Sequence, residues 1–292
     1  MSVSTYADYL ISQGETVLEL AGVPWMKYNK ALIPATAMPV YVKLSRDEAV
    51  KAIKATRALF LRYSSEPQTT ETNWWNMVCR HYDIMAVSPN TRSKIHRGLK
   101  RLKIRRVSPQ WLAKQGYDCH VQSYARYQHA SPMSRQAFEK FIVSFNGLPI
   151  FDLWACSNSK ALVGYIICLR EDNGVFMHTI DLTPTGLHDY SAYAMIHHLL
   201  DYYVNDTGIP VTNGARSVAH ETAMQEFLRK FGFKREYCQL HVVYRPDIDL
   251  IVRLLYPFRH WLKPIEKLNF IHKVAAVLFQ EEIARHQQGV PA

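Results

Sequence analysis

"FDLWACSNSKALVGYIICLREDNGVFMHTIDL", Phe151–Leu182, contains three apolar runs separated by short polar breaks. Runs of this length, rich in β-branched and aromatic residues, read as three successive strands joined by hairpins. Tight hairpins make neighbouring strands antiparallel. The middle run, "ALVGYIICL" (Ala161–Leu169), is uncharged but about half the length of a membrane span. It reads as a buried strand. Downstream the pattern alternates: the helix "SAYAMIHHLLDYYVND", the strand "IPVTNGA" (Ile209–Ala215), the helix "HETAMQEFLRKF" and the strand "EYCQLHVVYRP". This order predicts an α/β (α+β) fold, a mixed, partly antiparallel sheet flanked by helices.

Upstream, "SRQAFEKFIVSFN" reads as a helix and Ser88-Pro89 as a helix start, with serine as N-cap and proline at the first position. The run that follows, "NTRSKIHRGLKRLKIRR" (Asn90–Arg106), carries eight Lys and Arg and no acid. Ile95, Leu99 and Leu102 recur at helical spacing, which predicts an amphipathic basic helix anchored by that stripe. The N-terminal region predicts a smaller α/β unit: a strand at "MPVYVKL" (Met38–Leu44), a helix "RDEAVKAIKATR" capped by Ser45, and a strand at "ALFLRYS" (Ala58–Ser64). The polar stretch "SEPQTTETN" (Ser65–Asn73) reads as a boundary. From Asp247 to Gln288 the chain reads as a helical tail broken at Pro257 and Pro264. These readings divide the chain into 1–87, 88–246 and 247–292.

Among 292 residues, 35 Lys and Arg against 25 Asp and Glu give a net charge of +10. The basic run supplies most of the excess, so the charge marks a local site for an anion rather than a generally basic surface. The five cysteines are scattered without a Cys-x-x-Cys pair, which fits a reducing, cytoplasmic setting better than a disulfide framework. The start has neither the basic nor the long apolar region of a signal peptide, and no transmembrane segment is predicted. Glycine-rich nucleotide loops and the nucleophile elbow are absent, and "HETAM" fails the His-Glu-x-x-His zinc motif at its last position. Thirteen histidines raise a metal question. Adjacent His197 and His198 point to different sides of a helix, however, and no ligand spacing appears, so no metal site is predicted.

"EFLRKFGFKRE" (Glu226–Glu236), a helix ending at glycine and passing directly into a strand, resembles the end of the GNAT acyltransferase core. The order of elements over Phe151–Arg245 matches that core as well. "SPNTRSKIHRGLK" resembles the segment opening the second domain in the FemAB-like branch, with Arg92 and Arg97 as its motif arginines. "DYSAYAMIHHLLDYY" resembles the FemAB-type helix that follows the phosphate loop. The resemblance implies an enzyme that moves an acyl or aminoacyl group to an amine on an amino sugar or cell-envelope precursor. The donor it implies is an acyl-CoA, acyl carrier protein or aminoacyl-tRNA, used as cosubstrate without a tightly bound cofactor. Three features depart from the family. The loop "LTPTGLHDYSAYA" offers only Gly186 of the usual glycines, Leu228 stands where a tyrosine often protonates the leaving thiolate, and no coiled-coil arm is visible.

Amine acylation needs a base, donors for the tetrahedral oxyanion and a hold on the donor's phosphates. A cleft in an open α/β sheet lies beyond the strand ends, which selects His178, Asp181, His220 and Glu221 as candidate catalytic groups. Strand alternation places His178 and Asp181 on opposite sides, and Glu221 serves equally as a charge complementing a helix dipole. Thr183, Thr185, Gly186, Leu187, His188, Asp189 and Tyr190 form a strand-to-helix loop whose amides suit a donor phosphate, or else an ordinary strand–helix turn; Asp189 also reads as an N-cap. Arg92, Arg97, Lys100, Arg101 and Arg216 are candidate phosphate or substrate binders. Trp74-Trp75 reads as a pocket wall or a core pair. Two other readings compete. One is a tRNA or nucleic-acid binder without catalysis, with Tyr124 and Tyr127 available for stacking. The other is a membrane-peripheral protein, because "IVRLLYPFRHWLKPIEKLNFIHKV" mixes aromatic and basic residues as interfacial helices do. That tail reads equally as one packed on the core.

Overall fold

A computed structural model describes residues 5–126, 131–218, 223–262 and 269–286. The chain begins with α1 (Tyr6–Ser12), β1 (Val17–Leu20), β2 (Val23–Tyr28), β3 (Ala31–Pro34), α2 (Arg46–Thr56), β4 (Phe60–Pro67) and β5 (Trp75–Cys79). It continues through α3 (Pro89–Arg101), β6 (Lys103–Val107), α4 (Pro109–Gln115), α5 (Tyr117–Ser123) and α6 (Arg135–Val143). Next come β7 (Phe151–Ser157), β8 (Leu162–Glu171), β9 (Gly174–Leu182), α7 (Pro184–His188) and α8 (Ser191–Leu200). The last elements are β10 (Val211–Ala215), α9 (Ala223–Arg229), β11 (Lys234–Tyr244), α10 (Pro246–Leu255), α11 (Arg259–Leu262) and α12 (Asn269–His286).

Contacts divide the chain into two compact units that are not consecutive in sequence. The N-terminal unit joins Thr5–Met77 to the chain from Arg235 onward, and the central unit comprises Val78–Gly214 with Met224–Lys234. This differs from the three consecutive segments expected. The cause is β11, which pairs antiparallel with β4 from Tyr244↔Phe60 to Cys238↔Pro67 and so carries the C-terminal helices into the N-terminal unit.

In the N-terminal unit, β1, β2 and β3 form an antiparallel meander, and β3 pairs parallel with β4. Helix α2 covers this sheet because Ala49, Ala52 and Ile53 recur on one side and meet Trp25, Leu32, Leu61 and Tyr63. A reciprocal Ser45–Glu48 capping box starts the helix, and Arg57 in the left-handed region ends it. The strand expected over Met38–Leu44 is reduced to a single bridge between Tyr41 and Ser64. Pro39 within it has no amide to donate to a ladder. Pro257 does break the tail, in a 3-10 turn between α10 and α11; Pro264 lies outside the described residues.

In the central unit the strands run β10-β9-β8-β7-β6. All pairs are antiparallel except β9 with β10. Successive residues of β8 face opposite layers: a side chain at Gly164 would meet Met195 of α8, whereas Tyr165 contacts Phe138 of α6. Helices α3 and α8 therefore cover one face and α5 and α6 the other. The predicted basic helix begins at Ser88 and Pro89 as expected but ends at Arg101. Its last residues form the edge strand β6, whose Arg106 bridges the buried Asp152 of β7 at 2.8 Å. Charged side chains on an edge strand also discourage pairing with another chain.

The anchoring stripe of α3 is corrected too. Thr91, Ile95 and Gly98 are buried, while Leu99 faces outward. Gly98 faces inward because α8 approaches so closely that a Cβ there would lie 2.8 Å from the Tyr190 carbonyl and 2.9 Å from Ala194 Cβ. Alanine favours a helix over glycine by about 1 kcal/mol, but backbone displacement in a tight interface costs about 1–3 kcal/mol. Gly98→Ala is therefore expected to lower the urea midpoint, and a raised midpoint would show that the α3–α8 contact yields easily.

Candidate active site

Strands β9 and β10 begin side by side and then part. Their parallel register runs only from Val211↔Val175 to Thr212↔Phe176. Beyond it the Gly214 amide turns back to Thr212 Oγ1 at 2.9 Å instead of continuing the ladder. Gly214 adopts φ +81°, and a Cβ there would lie 3.2 Å from the Phe176 ring. A non-glycine residue would be strained in this conformation. The two parallel strands thus diverge towards the carboxyl end of β9.

On its other edge, β9 carries a β-bulge at the same level. Ile167 pairs with Thr179 and Cys168 with Met177, which leaves His178 as the extra residue. A bulge disrupts the ladder locally and re-aims side chains. The effect is visible in the hydrogen bond between His178 Nδ1 and Thr179 Oγ1, 2.9 Å, made by side chains that regular alternation would separate. The His178 ring lies among Phe141, Phe151 and Phe176. Burial in this aromatic setting lowers its pKa from 6.5 to about 4.

The bulge also overturns the expectation that His178 and Asp181 face opposite sides. Both face the α5–α6 layer: His178 meets Phe141 of α6, and Asp181 meets His120 of α5. Asp181 is 6% exposed. It accepts a 2.7 Å hydrogen bond from His120 Nδ1 and another from the Tyr165 hydroxyl. His120 Nε2 in turn accepts the Met133 amide at 3.1 Å. This partner assignment makes His120 the neutral Nδ1–H tautomer. With both ring nitrogens bonded, the trio locks α5 and the 133 region to the sheet. Sequence reasoning missed His120 and Tyr165, since nothing in "YDCHVQS" or "VGYIIC" signals a partner 61 or 16 residues away.

The segment Thr183–Tyr190 is a capped helical turn rather than an open loop. Thr183 Oγ1 donates to the Val163 carbonyl and accepts the Gly186 amide. The Leu187, Asp189 and Tyr190 amides go to the carbonyls of Thr183, Thr185 and Leu187. Gly186 is required by packing, since a Cβ there would collide with the Val163 carbonyl. The Gly186, Leu187, Asp189 and Tyr190 amides are thus engaged within the turn. Thr185 and His188 are exposed.

The basic helix lies against this turn. Arg97 donates to the Tyr190 hydroxyl at 3.4 Å, and Arg101 bridges Asp189 at 3.3 Å while lying over the Tyr190 ring. Lys94 reaches the Tyr193 hydroxyl at 3.5 Å. Lys100 is exposed, as are Lys103 and Arg105 on β6. Arg92 instead donates to the Met85 carbonyl at 2.7 Å and fixes the approach to α3.

Several other expected site residues have structural partners of their own or lie outside the described residues. Arg216 belongs to the N-terminal unit, where it donates to the Asn73 carbonyl at 2.8 Å and lies over Trp75. Trp74 is a core residue, and Trp75 is sandwiched by Arg216 and Arg235. Leu228 is fully buried on α9. His197 bonds Tyr82 and His198 meets Trp154 edge-on, so both serve packing. His220, Glu221 and Tyr127 lie outside the described residues.

The sequence matches no protein-family model and no curated protein. Solved structures do resemble it. FemX is similar with a TM-score of 0.56 at 9% identity, covering 84% of this chain and 92% of that one. The C-terminal domain of a putative lysylphosphatidylglycerol synthetase from Agrobacterium fabrum is similar with a TM-score of 0.52 at 12% identity, covering 86% and 90%. A conserved protein of unknown function from Bacteroides thetaiotaomicron reaches 0.52 at 9% identity, covering 82% and 92%. At such identities the likeness is one of fold. The chain shares the fold of FemX and of the synthetase domain, a likeness that agrees with the resemblance read from its sequence.

Proposed function

We propose that the protein is an N-acyltransferase that moves an acyl or aminoacyl group from a phosphate-bearing donor to an amine. The observation that carries this reading is the bulge at His178 beside the divergence of β9 and β10. There the bulge interrupts the β8–β9 ladder and re-aims side chains, His178 among them, at the place where the acyl carbonyl would be attacked. His178, neutral at physiological pH, takes the proton of the attacking amine as the C–N bond forms and delivers it to the donor's leaving oxygen or sulfur as its bond to the acyl carbon breaks. Asp181 supports the site by holding His120 and Tyr165 rather than acting as the base.

Four amides of the turn at Thr183–Tyr190 are used within it, and phosphate recognition is assigned to side-chain cations: Arg97, Lys100 and Arg101 of α3 with Lys103 and Arg105 of β6. Spread-out cations suit a polyphosphate backbone better than a single pyrophosphate. Aminoacyl-tRNA is accordingly the expected donor, ahead of acyl carrier protein and acyl-CoA. FemX and the synthetase domain share the fold, and the name of the second joins an aminoacyl group to a lipid; an amine on an amino sugar or cell-envelope precursor is the acceptor that the sequence resemblance implies.

The test combines binding with turnover. Thermal-shift titration with aminoacyl-tRNA, acyl carrier protein and CoA thioesters identifies the donor, because a ligand bound only by the folded state raises apparent stability. With that donor, His178→Asn is expected to lower kcat by about 10²-fold, within the usual range for a lost general base. Retention of full turnover by this variant would remove His178 from the mechanism. Failure of all three donors to bind would reject the acyltransfer reading.

A further inference from the structure

We propose that the outward face of α10 and α11 seats the protein on a bilayer surface carrying anionic lipid. The inward side of α10 is already satisfied: Val252 is buried, and Ile248 and Tyr256 pack with Tyr244 and Leu278. On the other side Leu250, Ile251, Leu254 and Leu255 stand at i, i+1, i+4 and i+5, which places them on one helical face. Leu250 and Leu254 are 60% and 63% exposed. Phe258 and Trp261 continue the face through the 3-10 turn into α11, in edge contact at 6.3 Å, with Trp261 78% exposed.

Six large apolar side chains on one continuous face are more than isolated surface residues, and such a face marks an interaction site. Its composition identifies the occupant. Aliphatic residues ending in Phe and Trp match the boundary between acyl chains and headgroups, where aromatic rings are enriched. The face stands on a helix rather than in a groove, so it presents anchors to enter a soft phase instead of pockets to receive a partner's side chains. The local charge is complementary: the exposed guanidinium groups of Arg253 and Arg46 border α10, two cations against the one carboxylate of Asp249 that both bridge. Among the described residues no helix is long and apolar enough to cross a membrane. The contact is therefore one of lying on the surface.

The test is flotation of the full chain with two sets of vesicles, one of phosphatidylcholine alone and one containing a quarter phosphatidylglycerol. The wild type is expected to float with the anionic vesicles and to bind the neutral ones more weakly. The double variant Leu254→Ser, Trp261→Ser is expected to lose about tenfold or more of that affinity, the effect of withdrawing two apolar anchors from the interface. Both positions are solvent-facing, so an unchanged circular dichroism spectrum and urea midpoint check that folding is retained. Absence of wild-type binding to either vesicle, equal binding to both, or undiminished binding by the double variant would overturn the proposal. So would a wild-type dimer that the double variant converts to a monomer, since a second copy would then cover the face.

Discussion

Replacing Asp181 by alanine is expected to destabilise the protein by about 2–6 kcal/mol, because two buried donors each lose their acceptor. The carboxylate is almost fully buried and receives the Tyr165 hydroxyl and the Nδ1–H of His120, which is itself only 1% exposed. Alanine would strand both donors where water cannot replace the lost acceptor, and each stranded group costs about 1–3 kcal/mol. Tyr165→Phe removes one donor and leaves Asp181 bonded to His120, so its expected effect is smaller, about 1 kcal/mol. Urea denaturation of the two single variants and the double variant measures the coupling. The double variant should lose little more than Asp181→Ala alone, because Tyr165→Phe leaves no hydroxyl there to be stranded. A stable but inactive Asp181→Ala protein would return Asp181 to the role of base and contradict the structural assignment.

Acidification from pH 7 to about pH 4 is expected to weaken the fold through His178 by roughly 3 kcal/mol, at about 1.4 kcal/mol for each tenfold change in proton affinity. The sign follows from the direction of the shift. Burial lowers the folded-state pKa of His178 from 6.5 to about 4, so between these values the unfolded chain binds the proton and the folded chain does not. Stability is therefore full above about pH 6.5 and falls as pH drops towards 4. Burial lowers the pKa values of His197, His198 and His241 as well, and these add losses of the same sign. Comparing urea midpoints of wild type and His178→Gln across this range isolates the contribution of His178. Parallel curves would mean that its ring gains a proton as readily in the folded protein as in the unfolded one.

Local chemistry in the sequence accounts for much of this architecture. Ser45 and Ser88 start their helices where short-range capping rules place them, and β7, β8 and β9 form from alternating apolar runs joined by polar turns. The concentration of Lys and Arg between Asn90 and Arg106 was equally legible. Beyond about one turn of helix or one hairpin, the decisive contacts are non-local. Leu99 and Gly98 exchange places because α8 needs room that only glycine leaves, a constraint absent from the periodicity of α3 alone. The N-terminal unit takes back the chain from Arg235 onward because β4 and β11 satisfy one another's backbone groups across most of the sequence.

The same division runs through the site. His178 and Asp181 were recognisable as polar groups near a strand end, and Arg97 and Arg101 as cations beside a turn. Their surroundings were settled by tertiary contacts. One extra residue in β9 cancels the alternation that would have separated His178 from Asp181, and a bulge of this kind is set by registration against β8 rather than by its own residues. His120, 61 residues from Asp181, turns that carboxylate from a candidate base into a buried anchor. The sequence by itself determined the run β7–β8–β9 and the alternation after it, the starts of α2 and α3 and the place of the positive charge, because these depend on neighbouring residues. Only the tertiary structure decided which groups remain available for chemistry, because that depends on hydrogen-bond partners brought together from distant parts of the chain.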